Sequence, residues 1–279
     1  MTAKHFTISL VTTLALAACS QDQGSPSKAA TPAQQVKPAS KPISWEPETF
    51  NLDSPTVEIV DTASFFTAFE GRSDRRIKGE YETSAEFKAR TADLEKFFAP
   101  ISFEKSYLFQ AEHPEMKYNA DEQRYEATWT QDCYESTPIS TGVSCGFGSK
   151  VDSRRDYEGR NAFGTSAQVR SEQGRDFYFN FTRKNLAAKP FRQRYGYRLP
   201  APCPLAIDEA RAFKGMPVRI AYAIMPTEPS MSEGSTRFDT PTVADPIDRW
   251  FESKIIRAKL VASVCYVIGQ EKPIHVQRY

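Results

Sequence analysis

Apolar residues recur along this chain in two rhythms, one helical and one of period two, and the helical one comes first. Asp61 precedes Ser64, Phe65, Phe66, Ala68 and Phe69, which predicts a short helix with an aspartate cap. Thr83-Ser84-Ala85-Glu86 has the capping-box pattern, in which a threonine and a glutamate satisfy each other's free backbone N–H groups. Phe87, Leu94 and Phe98 follow at helical spacing, so the pattern predicts one amphipathic helix over residues 84–98, stopped by Pro100. Its aromatic stripe is the stripe of a core contact.

Beyond residue 100 the period falls to two. Residues 103–111 and 125–130 have strand character, with the polar run 119–123 as a turn before the second. Phe177, Phe179 and Phe181 alternate with Tyr178, Asn180 and Thr182, which buries one face of a strand. Gln173-Gly174-Arg175 predicts a turn between that strand and another near residues 167–170. Val218, Ile220, Tyr222 and Ile224 alternate again, and the β-branched run 254–268 predicts a central strand. A short helix over 208–214 ends at Gly215. Residues 226–246, with four prolines and several serines, predict a long loop. Helices early and strands later predict an α+β fold: a mostly antiparallel sheet with one or two N-terminal helices.

The first 44 residues lack both rhythms. Lys4 and His5 precede an apolar stretch from Phe6 to Ala15, too short to span a bilayer, and Leu16-Ala17-Ala18-Cys19 ends it. This resembles the signal peptide of bacterial lipoproteins, with residues 1–18 as the leader and Cys19 as the acylated N-terminus. Ala15-Leu16-Ala17 also fits ordinary secretory cleavage. Cysteine counting favours lipidation: of five cysteines, acylating Cys19 leaves four, whereas plain secretion leaves an odd reactive thiol. The lipoprotein resemblance, with Ser20 where aspartate signals inner-membrane retention, implies a lipid anchor in the outer membrane of a Gram-negative bacterium, facing the periplasm. Residues 19–44 are rich in Pro, Ala, Ser, Gln and Lys and predict a disordered tether, followed by a globular part over 45–279 with a possible internal boundary at the proline-rich joint near residue 200.

Export makes disulfides available to Cys133, Cys145, Cys203 and Cys265. Four cysteines allow three pairings. The local pair Cys133–Cys145 and the long closure Cys203–Cys265 are favoured, the latter stabilising by roughly 4 kcal/mol if loop entropy governs.

Composition and motifs exclude more than they assert. Without the leader's Lys4, 35 basic side chains face 35 acidic ones, so bulk charge gives no reason to expect nucleic acid. His113 and His275 stand in no metal-ligand spacing, and no motif calls for a metal or cofactor. Ser102-Phe103-Glu104-Lys105 matches Ser-x-x-Lys, but no Lys-Thr-Gly accompanies it. The glycine-rich spots 146–148 and 159–164 precede no helix that would cradle phosphate. Acidic neighbours such as Glu80 with Glu82 arise by chance among 35 acidic side chains. No catalytic residue is therefore assigned.

One surface stretch stands out. Arg183, Lys184, Lys189, Arg192, Arg194 and Arg198 fall without an intervening acid and are interleaved with Phe191, Tyr195 and Tyr197. Guanidinium forks suit phosphates and carboxylates, so the stretch is a candidate surface for an anion or a protein partner. The competing reading is a solvated loop whose charges pair with acids elsewhere.

Four further stretches, Lys78–Thr83 with Phe87 and Ala89-Arg90, Asn161–Gly164, Asp208–Gly215 and Pro241–Pro246, together resemble uncharacterised exported proteins and lipoproteins of Gram-negative bacteria. That resemblance implies no activity. The expectation from sequence is a non-catalytic, membrane-anchored periplasmic protein that binds an envelope protein, peptidoglycan or lipopolysaccharide, in an accessory or inhibitory (immunity) role. A periplasmic hydrolase with dispersed catalytic residues is the alternative.

Overall fold

The computed structural model describes residues 46–112, 116–127, 132–135, 142–160, 164–184, 186, 192–193 and 196–279. Cys19, the tether and His113 lie outside them. Residues 44–279 form one compact unit, not divided at the proline-rich joint near 200.

Three helices precede the sheet. α1 (Thr62–Ser73) starts where the Asp61 carboxylate accepts from the Ser64 N–H at 2.7 Å, and it buries Phe65, Phe66 and Phe69. The single helix expected over 84–98 is instead two, α2 (Ser84–Thr91) and α3 (Leu94–Phe98). The Thr83–Glu86 capping box opens α2. The break comes at Asp93, whose carboxylate caps a new helix by accepting from the Lys96 N–H at 3.0 Å. An aspartate that bonds the backbone ahead of it competes with continuing the previous helix.

The strands are β1 (Tyr107–Gln110), β2 (Met116–Asn119), β3 (Arg124–Ala127), β4 (Asp132–Glu135), β5 (Gly142–Arg160), β6 (Ser166–Thr182), β7 (Arg192–Gln193), β8 (Gly196–Arg198), β9 (Cys203–Pro204), β10 (Val218–Asp239), β11 (Ile247–Val267) and β12 (His275–Arg278). A last helix, α4 (Ile207–Ala212), precedes β10. The main sheet runs β1-β10-β11-β6-β5-β4-β8-β7, with β12 on β11; β2, β3 and β9 form a small second sheet. All pairs are antiparallel except β6 with β11, which run parallel over 170–181 and 247–258. The fold is α+β with a mostly antiparallel sheet.

Two long hairpins, β5-β6 and β10-β11, are the frame of this sheet, and the chain passes through two places where the sequence predicts breaks. β6 continues through Gln173-Gly174-Arg175. Gly174 is there for close approach: a Cβ would sit 2.2 Å from the Lys150 carbonyl and 2.8 Å from the Phe251 ring. The expected loop over 226–246 is mostly strand. β10 runs to Asp239; Pro226 is its last paired residue before a register shift that ends at Met231, and Pro229 lies within that shift. Proline is tolerated there because a bulge asks for no ladder N–H. The true connection is only residues 240–246, closed by hydrogen bonds between Thr242 and Asp245.

At the root of the hairpins both faces are covered. On one face Phe65 and Phe66 of α1 meet Phe177, Phe179 and Phe109, with ring centroids 4.9 to 6.3 Å apart. On the other, Ala221, Ala223 and Ala262 leave room for Phe50, with Leu108 and Val264 alongside. Disulfide Cys133–Cys145 joins directly paired residues of β4 and β5, and Cys203–Cys265 ties β9 to β11.

Candidate binding face

Past the end of α1 the four strands β10-β11-β6-β5 continue as an outlying half made of β5 150–160, β6 166–175, β10 232–239 and β11 247–254. Here, Phe251 and Val169 apart, the buried apolar side chains give way to polar and charged ones. Alternation in the registered strands separates two faces.

The face continuous with α1 begins at a line of ion pairs. Glu70, in the last turn of α1, reaches both Lys254 (3.2 Å) and Arg175 (3.0 Å). Lys254, its side chain only 9% exposed, also bonds Glu233 at 2.9 Å. Burial opposes the Lys254 charge, but hydrogen bonds to Glu233 and Glu70 prevail and raise its pKa. Arg175 grips Asp152 with two parallel bonds of 2.8 and 2.9 Å; these hold the Asp152 carboxyl below its usual range.

Immediately beyond this line lies a cleft of about 430 Å³ lined by Asp152, Ser153, Gln173, Gly174, Arg175, Trp250 and Glu252. Trp250 is 51% exposed and meets the edge of Phe238, itself 56% exposed, at 5.6 Å. The strands position these groups: Trp250 is in register with Gln173 across the parallel pair and with Phe238 across the antiparallel one.

The opposite face is a charge ladder. Glu172 takes Arg154 at 3.0 Å and Arg249 at 3.6 Å, and Arg249 reaches Asp245 at 3.4 Å. Arg237 lies 4.8 Å over the Phe251 ring and 3.5 Å from Asp176. Asp176 is 4% exposed, its Oδ2 has no hydrogen-bond partner, and burial pushes its carboxyl up.

The other sequence candidates fall elsewhere. Of the basic stretch, Arg192–Gln193 and Gly196–Arg198 form the sheet edge as β7 and β8, far along the strand order from Trp250. There Arg183 pairs with Glu135 at 3.4 Å and the Tyr197 hydroxyl donates to the same carboxylate at 3.2 Å, while Lys184 is exposed and Arg198 half-buried. Arg192 is placed in β7. Lys189, Arg194 and Tyr195 lie outside the described residues. Ser102 opens no helix; its Oγ accepts from the Glu104 N–H. His275 sits in β12 opposite Cys265, and burial lowers its pKa. Glu82, of the pair noted with Glu80, is bonded by Arg90 and by the Gly79 N–H, which lower its pKa to about 2. Among the described residues no group of three His, Cys, Asp or Glu side chains could hold a metal ion, and no helix is long and apolar enough to cross a membrane.

Sequence reading missed the cleft because its parts come from three strands, β5, β6 and β11, of which it broke β6 at Gly174 and began β11 only at Lys254. The signal was present in the alternation of Trp250, Glu252 and Lys254. No protein-family model, curated protein or solved structure matches this chain.

Proposed function

We propose that the protein is a lipid-anchored binding module of the bacterial envelope, acylated at Cys19 and carried on its tether. In this reading it engages an envelope component or protein partner through the outlying half of its sheet, in an accessory or inhibitory role. One observation carries the reading. The outlying half presents an exposed indole and a polar cleft on strands, while the charged groups beside the cleft are largely committed to one another: Arg175 to Asp152, Arg154 to Glu172, Lys254 to Glu233. Groups locked in ion pairs are poor proton carriers but make a rigid wall, and rigid strands hold a recognition surface better than loops. Aromatic anchors at such surfaces carry much of the binding energy.

The test uses the full chain in a Gram-negative host. A photo-crosslinking amino acid replaces Phe238, or Glu209 on α4 as the control. A discrete adduct from position 238 and none from 209 supports the reading. Equal labelling at both, or none at either, overturns it. Metabolic labelling with an alkyne fatty acid, lost in Cys19→Ser, checks the anchor; an unlabelled wild-type protein sinks that part alone.

A further inference from the structure

We infer that the cleft beside Trp250 is a saccharide site that takes a neutral pyranose, stacked on the indole and hydrogen-bonded by Gln173 and Glu252. The inference rests on the binding-face reading above and gives the ligand a chemical class.

The first ground is the division of labour inside the cleft. Three of the five Arg175 N–H donors are spent, two on Asp152 and one on Glu70. The charged pair is thus a wall with most of its donors already committed. The Gln173 amide has only a long 3.5 Å contact with the Ser153 hydroxyl, and Glu252 touches Lys254 only at 3.8 Å, beyond hydrogen-bond length. The groups with capacity left are therefore an amide, a hydroxyl, a carboxylate, the indole N–H and the two remaining Arg175 N–H groups. That set donates to and accepts from hydroxyl groups.

The second ground is the platform. Trp250 holds its ring on a strand, with Phe238 against it edge to face. The face of an indole is electron-rich, so it attracts the slightly positive C–H groups on one side of a pyranose ring. An apolar platform with a few convergent polar groups is the usual form of a small-molecule site.

The third ground is charge. Asp152 and Glu252 line the cleft against Arg175, and Glu70 and Glu233 stand with Lys254 in the line of ion pairs beside it. The excess of acid repels phosphates and carboxylates. A cation would meet Glu252 alone, a solvated carboxylate worth little as a partner. A neutral, hydroxyl-rich ring pays neither penalty.

The experiment titrates the purified chain with three neutral tetrasaccharides: β1,4-linked N-acetylglucosamine, β1,4-linked glucose and α1,4-linked glucose. Binding is read by saturation-transfer NMR and calorimetry. At least one sugar should bind the wild type. Trp250→Ala should weaken it by about tenfold or more and Gln173→Ala by about threefold, with Trp250→Phe in between. Tyr81→Ala, on the far depression formed with Arg75, Glu82 and Arg90, should change nothing. Trp250 is half exposed, so its variants should fold, and circular dichroism verifies that each does.

No binding up to about 10 mM of any of the three sugars overturns the inference. So does equal binding by Trp250→Ala, or binding of a hexalysine peptide or of phosphorylated lipid A sugars in place of neutral ones. Failure here with a discrete crosslink at position 238 would leave the binding face standing and remove only the sugar.

Discussion

The same four strands make two different materials. At their root, β5, β6, β10 and β11 carry Val143, Phe179, Ile220 and Ile256, all fully buried, beneath α1 on one side and Phe50 on the other. A few residues further along the same hydrogen-bonded ladders, the side chains are Arg154, Glu172, Arg249 and Trp250. The root is held by burial, at roughly 25 cal/mol for each Å² of apolar surface removed from water. The outlying half is held by the ladder and by cross-strand ion pairs, each worth at most about 1 kcal/mol where exposed. Strands can be propagated past the core that stabilises them. What lies beyond is then free to serve a surface, provided its edges do not recruit other strands. The edges here are blunted: β10 carries Pro226, Pro229 and bulges, and β5 carries alternating charge from Lys150 to Arg160.

The most direct way to break the comparison is to remove one aromatic from each half. Phe179 touches Phe65, Phe66, Phe109 and Phe147. Phe179→Ala should cost ~3–5 kcal/mol in denaturant unfolding, whereas Trp250→Ala should stay within ~0.5 kcal/mol of the wild type. Similar losses for both would mean that the outlying half is part of the core.

Gly174→Ala attacks the joint between the halves. Its Cβ would press on the Lys150 carbonyl and the Phe251 ring, so a loss of ~1–3 kcal/mol is expected. Amide exchange should accelerate over β5 150–160 and β11 247–254 and stay slow at the root. Uniform acceleration would show that the halves do not open separately.

Lys254→Met removes the hub of the ion pairs at the end of α1. The side chain sits beneath Glu70 and Glu233, so ~1–2 kcal/mol should be lost, and the last turn of α1 should exchange faster. An unchanged α1 would mean that its phenylalanines alone fix it.

The smallest effect is one of pH. Burial raises the Asp176 carboxyl above its ordinary value of 3.8. The folded chain therefore binds that proton more readily than the unfolded one. The stability this gives is fully present below the ordinary value and is lost as pH rises through the raised one. Asp176→Asn escapes the loss, so its melting temperature should gain on that of the wild type as pH rises above the ordinary carboxylate value. A gap that does not vary with pH would show that Asp176 is solvated.

Local chemistry was legible wherever neighbours in sequence do the work. The Asp61 cap, the Thr83–Glu86 box and the alternation of Phe177, Phe179 and Phe181 all follow from side chains acting within a turn or along one strand. The α+β class follows from their order, and the presence of disulfides from the even set of cysteines in the body of the chain. What sequence could not decide were positions whose meaning depends on a partner strand. Gly174 has the composition of a turn but is a mid-strand point of contact, because Lys150 lies against it. Pro226 and Pro229 have the composition of a loop but lie at and within a bulge, because β10 pairs with β11 on both sides of it. Asp93 lies in a helical rhythm yet starts a new helix, because its side chain binds the backbone ahead. The cleft at Trp250 belongs to the same class. Its residues come from β5, β6 and β11 and are gathered by register alone, and register is set by strand pairing in three dimensions rather than by neighbours along the chain.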